Sequence, residues 1–165
     1  MASQYSMVYQ FPPIDLIAPK AGGSTVTSTN YASMRNALKA WLVVKINQGN
    51  AATVAITPQQ ATSLAGAGAK AIGGADTTAQ IWLNDATATG DLFVAQTAAL
   101  NFTTDANVAA KIVVFELVPE AHLDLVNGFN HIGVSTGASN AANITSAAIH
   151  IWGSYEGASA PTSYV

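Results

Sequence analysis

The chain has 165 residues and a formal net charge of −3, and charged residues make up only 9% of it, against about 25% in typical soluble domains. Half of the residues are hydrophobic, but 32 of them are alanines, so the chain is neutral and rich in small side chains. This composition excludes an electrostatic nucleic-acid surface and, with no cysteine, a disulfide framework or thiolate nucleophile. Apolar runs fall far short of the roughly 20 residues that cross a bilayer, so no membrane partner is expected.

The length fits one domain with flanking segments. Residues 1–30 are predicted to form an extended N-terminal arm, because prolines and a Gly-Gly pair interrupt its short apolar stretches. Residues 31–156 are predicted to form the domain, and residues 157–165 a Ser/Pro/Gly-containing C-terminal tail. The opening residues lack a basic segment followed by an apolar stretch, so no secretory signal is expected.

The strongest strand prediction covers Lys39–Asn47, where apolar and other residues alternate. Leu42, Val44 and Ile46 are expected to face the core. The opposite face of the strand would carry Trp41, Val43 and Lys45. A helix over Tyr31–Trp41 is the competing interpretation, since Ala37, Leu38 and Lys39 favour helix.

Turn chemistry follows this strand in Gln48-Gly49-Asn50, and Thr53–Thr57 alternates after it. This arrangement predicts a hairpin. A helical turn at Gln59–Leu64 and a Gly/Ala loop are expected next.

The rest of the chain offers further strands separated by Gly/Asn/Thr loops. They are Ala79–Asn84, Leu92–Gln96, Ala98–Phe102, Lys111–Val118, His131–Thr136 and Ile144–Trp152. The last two are predicted to pair, and Glu120–Leu125 to form one helical turn. With about eight strands and no amphipathic helix of 12 residues, the sequence favours an all-β, antiparallel, jelly-roll-like β-sandwich over a doubly wound α/β fold.

Three histidines are the candidate metal ligands. They are His122, His131 and His150; the last two lie on strands predicted to pair, and Glu116 or Asp124 would offer a third ligand beside them. No HxH or HxxxH spacing supports the site, so half-buried structural histidines are favoured and no metal is expected.

Catalytic motifs are weak. Gly66-Ala67-Gly68-Ala69-Lys70-Ala71 fits a relaxed dinucleotide fingerprint but lacks the flanking strand and helix, so a Gly/Ala loop is favoured and no cofactor is expected. There is no GxSxG elbow, and Glu116 and Glu120 are expected to be solvated at the end of a strand. The chain is predicted not to be an enzyme.

Aromatic residues are the candidate interface residues. Tyr5, Tyr9 and Phe11 are too apolar for a free tail, which indicates docking of the arm by strand addition or into an aromatic groove. Trp41 lies on the face opposite the core positions, where it either packs beside the core or anchors an interface.

Two stretches resemble small virion proteins of tailed bacteriophages. They are Tyr31-Ala-Ser-Met-Arg-Asn-Ala-Leu-Lys-Ala-Trp-Leu-Val-Val44 and Asn47-Gln-Gly-Asn-Ala-Ala-Thr-Val-Ala-Ile-Thr-Pro-Gln-Gln-Ala61. Gly137-Ala-Ser-Asn-Ala-Ala-Asn143, followed by an Ile/Ala/Trp strand, is similar as well. The resemblance covers most of residues 31–152.

What the resemblance implies is a capsid decoration (cement) protein. Such a protein is a β-sandwich on the outer shell, often a trimer, that bridges capsomers formed by the major capsid protein. It would be made in the bacterial host cytoplasm and carried on the exterior of the virion. The alternatives are a tail or head–tail connector component, and a carbohydrate- or receptor-binding sandwich, which an exposed Trp41 or Trp82 beside polar loops would favour.

Overall fold

The structure is a computed structural model that describes residues 11–153. Twelve strands lie in this part of the chain, eight with six or more residues and four with two. They are β1 (Pro13–Ala21), β2 (Val26–Thr27), β3 (Ala32–Ser33), β4 (Ala37–Gln48), β5 (Ala55–Ala61), β6 (Lys70–Ala71), β7 (Ala79–Asn84), β8 (Val94–Ala99), β9 (Phe102–Thr103), β10 (Ala110–Leu117), β11 (His131–Thr136) and β12 (Asn143–Gly153). A four-residue helix, α1 (Pro119–His122), and a 3-10 turn, Leu125–Asn127, separate β10 from β11.

The strands form two antiparallel sheets. The large sheet has six strands in the order β1-β12-β4-β10-β7-β8, and the small sheet has the order β2-β11-β5-β6, with β3 added beside β11 and β9 beside β5. Both sheets turn apolar side chains toward a shared core, which includes Leu42 and Phe115 from the large sheet and Ile56 and Ile132 from the small one. The prediction of an antiparallel all-β, sandwich-like fold is confirmed.

Strand β4 has the alternation expected from the sequence. Leu42 and Val44 are fully buried and Ile46 is 2% exposed, whereas Trp41 and Val43 are half-buried and Lys45 is exposed. Because successive side chains of a strand point to opposite faces, the second set lies on the outer surface of the large sheet. The helical alternative over Tyr31–Trp41 is wrong, because this segment contains β3, a turn and the start of β4.

The predicted hairpin between β4 and β5 is wrong. β4 pairs with β12 and β10, whereas β5 pairs with β11, β6 and β9, so the two strands lie in opposite sheets. Gly49–Val54 therefore forms an arch across the core instead of a hairpin loop. The buried Gln48 side chain holds the arch, because its Nε2 donates to the carbonyls of Ala52 (3.0 Å) and Asp105 (2.7 Å).

The predicted pairing of the last two strands is wrong for the same reason. β11 pairs in the small sheet and β12 in the large sheet. Turn residues specify that the chain reverses; they do not specify whether it returns beside the same strand or across the core.

Two local expectations also differ from the structure. Residues 13–21, assigned from sequence to the arm, form β1 and pair with β12 at an edge of the large sheet. The expected helical turn at Gln59–Leu64 is wrong at its start, because β5 continues through Pro58 to Ala61. Pro58 cannot donate to a ladder, but its carbonyl accepts from the amide of Ile72 at 3.1 Å.

Candidate interaction surface

Two of the four predicted interface residues meet on the outer surface of the large sheet. The Phe11 and Trp41 ring centroids lie 6.1 Å apart, with their planes at 81° in an edge-to-face contact. Such pairs add stabilisation beyond the area that they bury. Tyr5 and Tyr9 lie outside the described residues.

Glu116 lies at the centre of a cluster that also contains Lys39, Trp41 and Trp82. The Trp82 indole Nε1 donates to Glu116 Oε1 at 3.1 Å, and Lys39 Nζ lies 2.5 Å from Glu116 Oε2. Lys39 Nζ also lies 5.5 Å from the centre of the Trp41 ring, within range of a cation–π contact. Both carboxylate oxygens are used, so β4, β7 and β10 are tied together across the outer surface.

A row of apolar side chains lies beside this cluster. Val114 on β10 lies opposite Val43 on one side and Trp82 on the other, and Ala148 of β12 lies opposite Val43 on its far side. We call this surface the aromatic face. Its members are Trp41, Val43, Trp82, Ile112, Val114, Ala148 and Trp152.

All but one member of the aromatic face are half-buried, and Trp152 is 46% exposed. The small sheet packs on the opposite side of the large sheet, so no second sheet lies against the aromatic face within residues 11–153. Contiguous apolar surface of this kind is typical of a contact site.

A shallow depression of about 350 Å³ opens at the other end of the same surface. Lys45, Ile112, Ile144 and Ser146 are among its lining residues. Within the described part of the chain, its ionisable lining residues are Lys45 and Lys111.

A second apolar group lies at the free edge of the large sheet. Leu92 is 74% exposed, Phe93 39% and Val94 53%, immediately before and at the start of the edge strand β8. An edge strand carries unpaired backbone donors and acceptors, so this segment is suited to contact with another chain.

The three histidines are separated by the fold. His131 alternates with the core residue Ile132 and lies on the outer surface of the small sheet; His150 alternates with Ile149 and lies on the outer surface of the large one. The expectation that His131 and His150 share a pair of strands is therefore wrong. No group of three His, Asp or Glu side chains able to hold a metal occurs among residues 11–153.

His122 and His150 have structural partners. His122 Nδ1 accepts from the Val118 amide at 2.8 Å, and its Nε2 lies 3.1 Å from the Thr78 carbonyl, so its ring joins α1 to the segment before β7. His150 Nδ1 lies 3.1 Å from the carbonyl of Phe11 and fixes that residue over β12.

His131 is buried, and its Nδ1 has no hydrogen-bond partner among the described residues. Burial lowers the pKa of His131, and the charge of Arg35 lowers it further. Both effects favour the neutral imidazole.

A buried ammonium group closes one end of the sandwich. Lys111 is 1% exposed at its side chain and pairs with the half-exposed carboxylate of Asp105. The hydrogen bond from Lys111 lowers the pKa of Asp105, and the Asn107 amide adds to the effect. The sequence gives no signal for this pair, because Lys111 occupies a core-facing position of a strand otherwise composed of apolar residues.

The Gly66–Ala71 motif does not hold a dinucleotide-binding turn. Gly66 and Gly68 have positive φ angles of 77° and 64° in the loop between β5 and β6, as the loop interpretation requires. A Cβ on Gly66 would lie 2.6 Å from Cε2 of Tyr31, so this glycine makes room for the Tyr31 ring.

Sequence reasoning found Phe11 and Trp41 but missed Lys39 and Glu116 as the groups that organise the surface. Glu116 lies opposite Trp41 across the β10–β4 ladder. This neighbour relation depends on which strands pair, which the hydrophobic pattern does not specify.

Comparisons with known proteins returned nothing: no family model, no curated protein and no solved structure matches the chain. Within residues 11–153, no helix has the length and apolar character required to cross a membrane.

Proposed function

We propose that this chain is a non-enzymatic structural protein of a tailed-bacteriophage virion that decorates the capsid exterior and stabilises it. Its partners are the major capsid protein and further copies of the same chain, with a trimer as the favoured state. The observation that carries the proposal is the order of the strands in the two sheets.

We infer that this order is that of a jelly roll. The first and last strands, β1 and β12, pair in the large sheet. The second strand and the second-last strand, β2 and β11, pair in the small sheet. Four strands of the large sheet, β1-β12-β4-β10, lie across the core from β2-β11-β5-β6, and β7 and β8 extend the large sheet. Jelly rolls of eight strands recur in viral capsid and lectin domains.

The composition supports a role in close-packed assemblies. With 9% charged residues and a net charge of −3, copies of the chain lie side by side with little mutual repulsion. Burying neutral surface also avoids the desolvation cost of charges. A protein that binds the assembled shell, and not its open form, stabilises the shell by mass action.

The resemblance of residues 31–152 to small virion proteins supports the same conclusion. The lectin alternative is less favoured, since the Trp41 ring contacts Phe11 and Lys39 and the Trp82 Nε1 group is bound to Glu116. The Trp41 ring is therefore already in contact with other side chains, and the Trp82 Nε1 group is not free to donate to a sugar hydroxyl. A tail or connector location stays an outcome of the test.

The test is cryo-electron microscopy of particles from the virus that encodes the chain. We expect density that fits the two-sheet domain on the outer surface of the capsid. Density confined to the tail or connector would overturn the decoration proposal in favour of that location, and particles lacking the chain would overturn both.

Self-association is tested on the isolated protein by light scattering. We expect a trimer, and we expect Leu92→Ser combined with Val94→Ser to shift it toward monomer if the β8 edge forms the contact. Val126→Ser is the matched control, because Val126 is 98% exposed on the 3-10 turn. A strict monomer at high concentration contradicts the trimer.

A further inference from the structure

We propose that residues 1–10 pack across the aromatic face of their own chain, over β4, β10 and β7. This inference goes beyond the proposed function and does not depend on it. The occupant of the face is then a segment of the protein itself, and contacts with other subunits are made elsewhere.

The path of the chain at Phe11 supports this assignment. Pro13 pairs with His150 at the start of the edge strand β1. Two residues earlier, the Phe11 carbonyl lies 3.1 Å from His150 Nδ1 on β12, and the Phe11 ring contacts Trp41 on β4. Between Pro13 and Phe11 the chain therefore leaves the edge of the sheet and passes onto its outer surface, over β12 and toward β4.

Ten residues are long enough to complete the crossing. Neighbouring strands lie about 4.8 Å apart, so Trp82 on β7 is about 10 Å across the sheet from Trp41. An extended segment of ten residues reaches about 33 Å. The second half of the segment, about 16 Å when extended, is thus long enough to reach from Trp41 to Trp82.

The two surfaces match in chemistry. Residues 1–10, Met-Ala-Ser-Gln-Tyr-Ser-Met-Val-Tyr-Gln, contain no charged side chain. The centre of the face is the apolar row Ala148, Val43, Val114 and Trp82, and Ile112 lies beside Lys45 at its end. The phenol and thioether groups of such a segment bury apolar area and keep polar groups at the rim. Residues 154–165 are a poorer match, because they include Glu156 and are mostly Ser, Ala, Gly and Thr.

The test is hydroxyl-radical footprinting of Trp82, read by mass spectrometry on the full chain. Combining Tyr5→Ser, Met7→Ser and Tyr9→Ser should raise Trp82 oxidation about threefold, in line with loss of local protection. The matched control, Tyr155→Ser with Tyr164→Ser, should leave it unchanged. Tyr31, which is 2% exposed, reports that the fold is intact if its oxidation stays low.

Two results of this experiment overturn the proposal. Trp82 oxidation that is unchanged in the N-terminal variant shows that the segment does not cover the face. Oxidation that rises in the C-terminal variant instead assigns the face to residues 154–165.

A refolding experiment distinguishes the chain's own segment from that of a neighbouring copy. A full-length Trp82→Phe chain, which supplies the segment but no reporter, is refolded with the full-length Tyr5→Ser, Met7→Ser, Tyr9→Ser chain, which supplies only the reporter. Trp82 of the latter chain should oxidise as fast as it does when that chain is refolded alone. Restored protection would show that the segment comes from a second copy and would overturn the assignment to the same chain.

Discussion

Lys111 and Lys39 are both paired with carboxylates, but burial makes the two pairs different. The Lys111 side chain is 1% exposed and the Lys39 side chain 30% exposed. An ammonium group without access to water depends on its partner for stabilisation, whereas an accessible one is stabilised by solvent. The same change of charge should therefore have different effects at Asp105 and Glu116.

We predict that Asp105→Asn lowers the free energy of unfolding by about 3 kcal/mol, because it leaves the buried Lys111 ammonium without a counter-charge. Glu116→Gln, which makes the same chemical change beside Lys39, should cost only about 0.5 kcal/mol. Urea denaturation of both variants checks the difference. Equal losses would show that the burial of Lys111 does not determine the effect.

Tyr31 shows how a single side chain joins elements that are distant in sequence. Its ring lies against Gly133 of β11 and Gly66 of the β5–β6 loop, and its hydroxyl donates to Gln59 Oε1 at 2.7 Å. A Cβ on Gly133 would lie 2.5 Å from the Tyr31 ring. The glycines on both sides are thus required by the ring between them.

At the scale of elements, Gly133→Ala should destabilise the protein by about 2 kcal/mol through overpacking against Tyr31. Gly90→Ala is the control, because nothing lies within 4 Å of a Cβ at that position. In a Tyr31→Ala background the Gly133 substitution should cost much less, since the clash is then gone. Chemical denaturation of the wild type, Gly133→Ala, Tyr31→Ala and the double variant measures this coupling. A cost of Gly133→Ala that is the same with and without Tyr31 would refute the proposed cause.

Most of the long strands were predictable from the sequence, but β1 and the second half of β5 were not. The partners of the strands were not predictable either. The pattern of Lys39–Asn47 correctly gave the inward and outward residues of β4, and Lys111–Val118 matches the central strand β10. Both predicted hairpins failed, because β4 and β5, and likewise β11 and β12, each present one apolar side to the core whether they lie side by side or face each other. Alternation reports burial and carries no information on the neighbouring strand.

At the scale of the whole molecule, we predict that the protein loses stability toward acid pH. The pKa of His131 is lowered from its ordinary value of 6.5, mainly by burial, and the pKa of Asp105 is lowered from 3.8, mainly by Lys111. In both cases the unfolded chain binds the proton more tightly, so protonation favours unfolding. Stability is present above the ordinary values and falls as the pH drops through the lowered ones.

Urea denaturation between pH 7 and pH 3 tests this prediction. The midpoint should fall first below about pH 6.5 and again below about pH 3.8. His131→Asn should flatten the upper part of the curve, because the imidazole that titrates there is gone, and should leave the lower part in place. A wild-type midpoint that stays constant or rises between pH 7 and pH 5 would contradict the role of His131.

The low charge of the sequence excludes an electrostatic nucleic-acid surface. In the folded protein, it leaves two apolar surfaces on the large sheet, the aromatic face and the segment at the β8 edge. Beside the aromatic face, Lys39 and Glu116 pair with each other, and Lys45 lies exposed at its end. The exposed residues Leu92, Phe93 and Val94 lie at the opposite edge of the large sheet from β1. We propose the N-terminal residues as the occupant of the first surface, and the second is our candidate for contacts between copies of the chain.

The sequence by itself determined the all-β class, the core-facing residues of β4 and the choice of Phe11 and Trp41 as candidate interface residues. Composition and period-two alternation are properties of short stretches of sequence, so they can be recognised without knowing which strands pair. Only the tertiary structure decided the strand order, the separation of His131 from His150, and the meeting of Trp41, Trp82 and Glu116. Those features depend on which strands become neighbours, and the packing of the whole core determines which strands do.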